Sequence, residues 1–140
     1  MSDAKYIVGI DLGTTNSILA YTAADADARE TADIQVLEIP QLVGTGAVAA
    51  QEMLPSFIYL PGETGNALDA LKLPWQDDVP LVVGELARNR GAELPQQLIS
   101  SSKSWLCHTM VDRNQPILPW GAPAEVRHLS PVAASAAILD

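Results

Sequence analysis

The sequence predicts an α/β fold, a mixed sheet accompanied by helices, on three observations. Two runs rich in β-branched residues, 6–10 and 18–22, flank a gap holding Gly13 and Asn16, both tolerant of turn geometry, which is the pattern of a β-hairpin. Further on, "LVVGELARNRG" changes period from strand to helix. The stretch "SPVAASAAILD" then offers Ser130 as an N-cap and Pro131 at the first helical position of an alanine-rich helix.

Taken in order, the hairpin is followed by small, acidic and polar residues over 22–33, which read as an exposed connection. "IQVLEI", 34–39, supplies a third strand closed by Pro40. The next stretch is open between two readings: Gly44 and Gly46 argue for a loop, whereas 47–53 could form a helical turn. "SFIYL", 56–60, is a strand between Pro55 and Pro61, and 61–80 has the turn signals of an insertion around a short helix at 67–71. Residues 81–83 are strand-like, and 85–90 form a helix with Gly91 as its C-terminal cap. "LPQQLISSSKSWL" starts helical after Pro95, and "PILPWGAP" is a loop with strand potential. The final helix has no C-terminal cap before Asp140, so the sequence is expected to be a truncated one.

The totals narrow the function. At 140 residues, 48% of them apolar, the chain is long enough for one domain with a real core. Eight Lys plus Arg stand against 17 Asp plus Glu, a formal net charge of −9. This opposes sequence-independent nucleic-acid binding, which needs a clustered basic face. Arg88 and Arg90 are the densest cationic pair, and Glu85 and Glu93 flank them. With Cys107 as the one thiol and His108 and His128 the only imidazoles, a Cys/His zinc cage is excluded. No stretch approaches the ~18 apolar residues of a membrane span. A cytoplasmic protein without membrane or nucleic-acid partners is expected.

The chemistry concentrates in "GIDLGTTNS", 9–17. Gly13 lacks a Cβ, so backbone amides at the turn can approach a bulky anion closely. Successive amides in a tight turn make an anion-binding concavity with no need of a lysine. Thr14 and Thr15 add hydroxyl donors. Asp11 points a carboxylate at the same place, and a carboxylate tolerates a phosphate only across a cation, which implies Mg²⁺ held through water. A solvated strand end beside ordinary turn residues would carry the same letters.

The motif together with its context resembles the actin, sugar-kinase and Hsp70 ATPase superfamily. "IVGIDLGTTNS" resembles its first phosphate motif, in wording typical of Hsp70 chaperones. "LPSFIYL" is similar to the T-P-S strand, "VVGELARNRG" to the V-G-x-x-A-K/R segment, and "LISSSKSWLC" to the segment bearing the catalytic lysine. "HLSPVAASAAILD" resembles the helix after the family's L-S-P signature. The pieces follow the family's order across nearly the whole chain. The resemblance implies a ribonuclease-H-like, actin-like ATPase fold with an incomplete first lobe: the phosphate hairpin and sheet over 1–60, an insertion over 61–80, a smaller subdomain over 81–129, and the start of a helix over 130–140.

It also implies that Gly13, Thr14 and Thr15 bind the β/γ-phosphates of ATP or ADP. Asp11 would hold waters of Mg²⁺, and Lys103 would act catalytically near the γ-phosphate with Asp11. Nucleotide is the implied partner, and unfolded client peptides and co-chaperones would be engaged through regions beyond these residues. Ser104 and Trp105 replace the family's usual neighbours of the lysine, and 41–53 and 62–80 depart from the common chaperone form, the mark of a divergent bacterial member. A sugar- or acetate-kinase-type phosphotransferase, or a non-catalytic interaction module, are the alternatives.

Three lesser features have plain readings. Cys107 and His108 are adjacent, which does not make their side chains face each other, so an incidental role is expected. Trp75, Trp105 and Trp120 are expected as packing residues. The Arg88/Arg90 pair is expected to decorate a helix end.

Overall fold

The computed structural model describes residues 4–25, 33–62, 65–77 and 81–140. Most of the expected acidic connection, 26–32, and both margins of the expected insertion, 63–64 and 78–80, lie outside the described residues. The architecture is mixed α/β, with antiparallel strand pairing throughout and three helices among the described residues.

The predicted hairpin forms. Strand β1 (Tyr6–Leu12) pairs antiparallel with β2 (Asn16–Ala23), in a register running from Tyr6 opposite Ala23 to Leu12 opposite Ser17. On its other side β2 takes β3 (Gln35–Val36) and, at its start, β6 (Leu54–Pro55). The sheet order is therefore β1-β2-β3, with β6 also on β2. The expected third strand over 34–39 is cut to two residues, and Pro40 does not close it. Pro40 instead lies within β4 (Ile39–Gly44).

The ambiguous stretch resolves into a second hairpin rather than a helical turn. Strand β4 pairs with β5 (Ala47–Gln51) around Thr45 and Gly46, and Gly46 holds φ at +71°, a conformation that glycine alone adopts without steric cost. The strand assignment is enforced from outside: Leu42 is buried with Leu71 and Val82, and the fully sequestered Gln41 side chain reaches another element altogether. Gln41 accepts from the Glu85 backbone N–H at 2.9 Å and donates to the Met53 carbonyl at 2.9 Å.

A three-stranded sheet carries the core. Its middle strand β7 (Phe57–Tyr59) lies between β8 (Val82–Val83) and β9 (Leu98–Ser100), both antiparallel to it. Successive side chains of a strand point to opposite faces, and β7 uses both. Ile58, fully buried, joins Ile99, Leu118, Ala134 and Ile138 on one face. Tyr59 joins Leu42, Leu71, Val82 and Leu86 on the other. Helices thus cover the sheet from two sides: α1 (Glu85–Glu93) with the Tyr59 face, and α3 (Pro131–Leu139) with the Ile58 face.

Local signals account for some helix ends and not others. In α3 the Ser130 hydroxyl accepts from the Ala133 N–H at 3.0 Å and Pro131 takes the first helical position, both as expected. In α1 the expected cap at Gly91 is wrong. Gly91 is buried inside the helix, whose C-cap is Leu94, and a Cβ there would collide with the Leu98 side chain. That glycine serves close approach, not termination. Nor does a helix run on from Pro95: a single 3-10 turn, Pro95–Gln97, hands over to β9, because Ile99 must pair with Ile58. The short helix expected over 67–71 is a 3-10 helix, Gly65–Leu71, pinned by burial of Leu71.

Candidate functional site

The turn between β1 and β2 is braced from a distant part of the chain. At its head, Gly13 approaches the Asn16 carbonyl so closely that an added Cβ would collide with that oxygen. Its φ does not lie in the left-handed region, so space rather than dihedral freedom demands glycine here. Strand β6 pairs with the start of β2 and delivers Ser56 beneath the turn. The Ser56 hydroxyl donates to the Gly13 carbonyl at 2.9 Å, and its backbone N–H donates to the Thr15 carbonyl at 2.8 Å. Ser17 Oγ lies 2.9 Å from Ser56 Oγ, both residues buried. A hydroxyl has one proton to give, and that of Ser56 goes to Gly13, so Ser17 is the donor in this pair.

These bonds occupy the carbonyl side of the turn and the underside. Thr14 and Thr15 are left exposed, as is Asp11 at the end of β1. Among the described residues Asp11 makes no ion pair. Of the four predicted site residues, Asp11 lies in β1 opposite Ile18, and Gly13, Thr14 and Thr15 lie in the bend that follows. Such a bend can receive an anion. The lone carboxylate also suits Mg²⁺, which keeps several waters and takes one or two protein carboxylates rather than a full protein cage. No cluster of three or more acidic, His or Cys side chains that could hold a metal ion is present among the described residues.

Lys103 stands apart from the bend. It lies on the five-residue helix α2 (Ser102–Leu106), exposed, and makes no ion pair among the described residues. Ser101 turns the chain into this helix with φ at +54°, the left-handed region that a serine adopts at a steric cost. Helix α2 packs on α3, with the Ser135 hydroxyl 3.4 Å from that of Ser102. Trp105, two residues after Lys103, and Leu12, next to Asp11, border the same core cluster. The lysine helix and the end of β1 thus rest on a common apolar base, but no hydrogen bond or ion pair joins Lys103 to the turn.

Sequence reading missed Ser17 and Ser56 as site residues. The signal available was the P-S pair itself: a serine after a proline-bounded strand start, with no charge to mark it. The aromatic expectation is corrected in part. Trp105 packs against the core, but Trp75 and Trp120 are exposed, and Trp120 stacks on Trp105 with centroids 5.0 Å apart. His108 stacks on the same Trp105 at 5.3 Å, and its Nδ1 accepts from the Met110 N–H. Arg90 does decorate its helix end, reaching the Thr45 hydroxyl at 3.0 Å and Glu93 at 3.5 Å.

Neither the known family models nor the curated proteins contain a match to this chain. No helix among the described residues is long and apolar enough to cross a membrane.

Proposed function

We propose that this chain is the ATP-binding portion of an Hsp70-like chaperone of the actin-like, ribonuclease-H-like ATPase class, cytoplasmic and dependent on Mg²⁺. One observation carries the reading: the Gly13 bend is closed too tightly for any side chain and is braced from below by Ser56, while Thr14, Thr15 and the nearby Asp11 are exposed, Asp11 making no ion pair among the described residues. A plain connecting turn has no need of a buried serine that holds two of its carbonyls, as Ser56 holds those of Gly13 and Thr15. A phosphate cradle does, since binding oxygens through backbone amides requires that the amides stay aimed when the ligand is absent.

In this reading the turn amides and the hydroxyls of Thr14 and Thr15 hold the terminal phosphates, and Asp11 would hold Mg²⁺ through water. Bound Mg²⁺ would neutralise phosphate charge. Lys103 supplies the ammonium that stabilises charge during phosphoryl transfer, once the remaining parts of the nucleotide cleft are in place, because positioning is most of that chemistry. The second phosphate motif and the adenosine motif of the family have no counterpart among these 140 residues, so the property of this chain to test is nucleotide binding and not turnover.

The test is calorimetry and phosphorus resonance with Mg-ATP on the 140-residue chain. Saturable binding whose phosphorus shifts vanish in Gly13→Ala supports the reading. Absence of binding, or binding indifferent to the turn, would favour a non-catalytic module.

A further inference from the structure

Ser17 and Ser56 form a chain of hydroxyls with one direction. Ser17 Oγ donates to Ser56 Oγ at 2.9 Å, and Ser56 Oγ donates to the Gly13 carbonyl at 2.9 Å. Both residues are buried, so little water reaches either hydroxyl. Neither makes a further hydrogen bond among the described residues.

The carbonyl at the end of that chain belongs to the same peptide unit as the Thr14 N–H. A trans peptide is planar, and its C=O and N–H point in opposite directions. The cis bond among the described residues is Leu118–Pro119, far from this turn in sequence. With the Gly13 oxygen turned toward Ser56, the Thr14 N–H is aimed away from it, and Thr14 is exposed. That N–H donates to nothing among the described residues, and neither does the N–H of Thr15. The two amides differ in what lies behind them. The Thr15 N–H shares its peptide with the Thr14 carbonyl, which accepts no hydrogen bond among the described residues.

We propose that Ser17 is a positioning residue for the bound anion: through Ser56 it polarises the Gly13–Thr14 peptide and makes the Thr14 N–H the strongest backbone donor of the bend. The role rests on the phosphate reading proposed above. A hydrogen bond to a carbonyl draws electron density through the amide and leaves its N–H a better donor, and each further bond in the chain adds to the effect. The effect is greatest for an ionised acceptor, whose hydrogen bonds are about twice as strong as neutral ones. A phosphoryl oxygen is such an acceptor, and the stretch 9–17 contains no lysine or arginine to hold it. The carbonyl of a bound peptide is uncharged and would respond less.

Proton–nitrogen correlation spectra of the 140-residue chain, free and titrated with Mg-ATP, provide the test. In the free chain Ser17→Ala should move the Thr14 amide proton upfield while Thr15 and the β1–β2 ladder hold their positions, a pattern that a loosened fold does not give. Mg-ATP should shift the wild-type Thr14 amide downfield by more than that of Thr15. Ser17→Ala should weaken Mg-ATP binding by about twofold to fourfold, and Ser17→Thr, which keeps a hydroxyl, should restore both readouts. An unmoved Thr14 resonance in Ser17→Ala, or bound Mg-ATP that shifts Thr15 more than Thr14, overturns the proposal and leaves the phosphate reading standing. No binding by the wild-type chain overturns that reading, and the proposal with it.

Discussion

Ser56 supports Gly13 from 43 positions away in the chain: its hydroxyl donates to the glycine carbonyl at 2.9 Å while its own oxygen takes a proton from Ser17. The bend therefore does not hold its shape by itself. It is shaped by a strand that arrives after a second hairpin has been completed.

Ser56→Ala should cost about 1–3 kcal/mol of stability, because it strips partners from the Gly13 carbonyl and from the buried Ser17 hydroxyl. Urea denaturation measures this. In the proposed function the same change weakens Mg-ATP binding beyond the loss of folded protein, since the amides lose their aim. Ser17→Ala removes only the outer bond and should be the milder of the two.

Gly13→Ala forces a methyl into the Asn16 carbonyl, and the bend must open to admit it. The expected penalty is about 1–3 kcal/mol, typical of overpacking. Gly9→Ala is the control, for a Cβ there touches nothing. Thermal melts of the pair separate crowding from the general effect of removing a glycine.

Lys103→Ala should change stability by no more than about 0.5 kcal/mol, as expected for an exposed side chain without an ion pair. Under the proposed function it leaves Mg-ATP affinity nearly intact and abolishes turnover in the complete domain. Asp11→Asn should instead reduce the dependence of binding on Mg²⁺. Parallel calorimetry and phosphate-release assays distinguish the two roles, and normal turnover in the lysine variant would remove Lys103 from the mechanism.

Asp69 gives a pH prediction. Its carboxyl is held below the ordinary value by a hydrogen bond from Lys72 and by that ammonium's charge, at 2.8 Å. A depressed folded value means the contribution is present above the unfolded carboxylate range and is lost as pH falls through the lowered value. Asp69 is solvent-exposed, so the effect of the pair on stability is small and salt-sensitive. Resonance titration of Asp69 in Lys72→Ala should show the midpoint moving up.

What could be read from the sequence was whatever acts over a few residues. The β1–β2 hairpin announced itself through β-branched runs around Gly13 and Asn16, and α3 through Ser130 and Pro131, whose bonds close within a turn. What escaped was set by distant partners. The β4–β5 hairpin looks glycine-rich and indecisive until Leu42 and Gln41 are seen buried against later elements. Gly91 reads as a stop signal because nothing local reveals that Leu98 will lie on it. Ser56 carries no charge and no motif beyond its proline, so its place beneath the bend emerges only from the pairing of Leu54 and Pro55 with β2.

The Gln41 side chain, which ties the start of α1 to Met53 just beyond β5, has a kinetic corollary. Glu85 cannot find that acceptor until residues 39–51 have assembled, so the first turn of α1 should be secured late in folding. The deuterium uptake of the Glu85 amide would then track openings of a remote hairpin, making one proton a reporter for a motion 44 residues upstream.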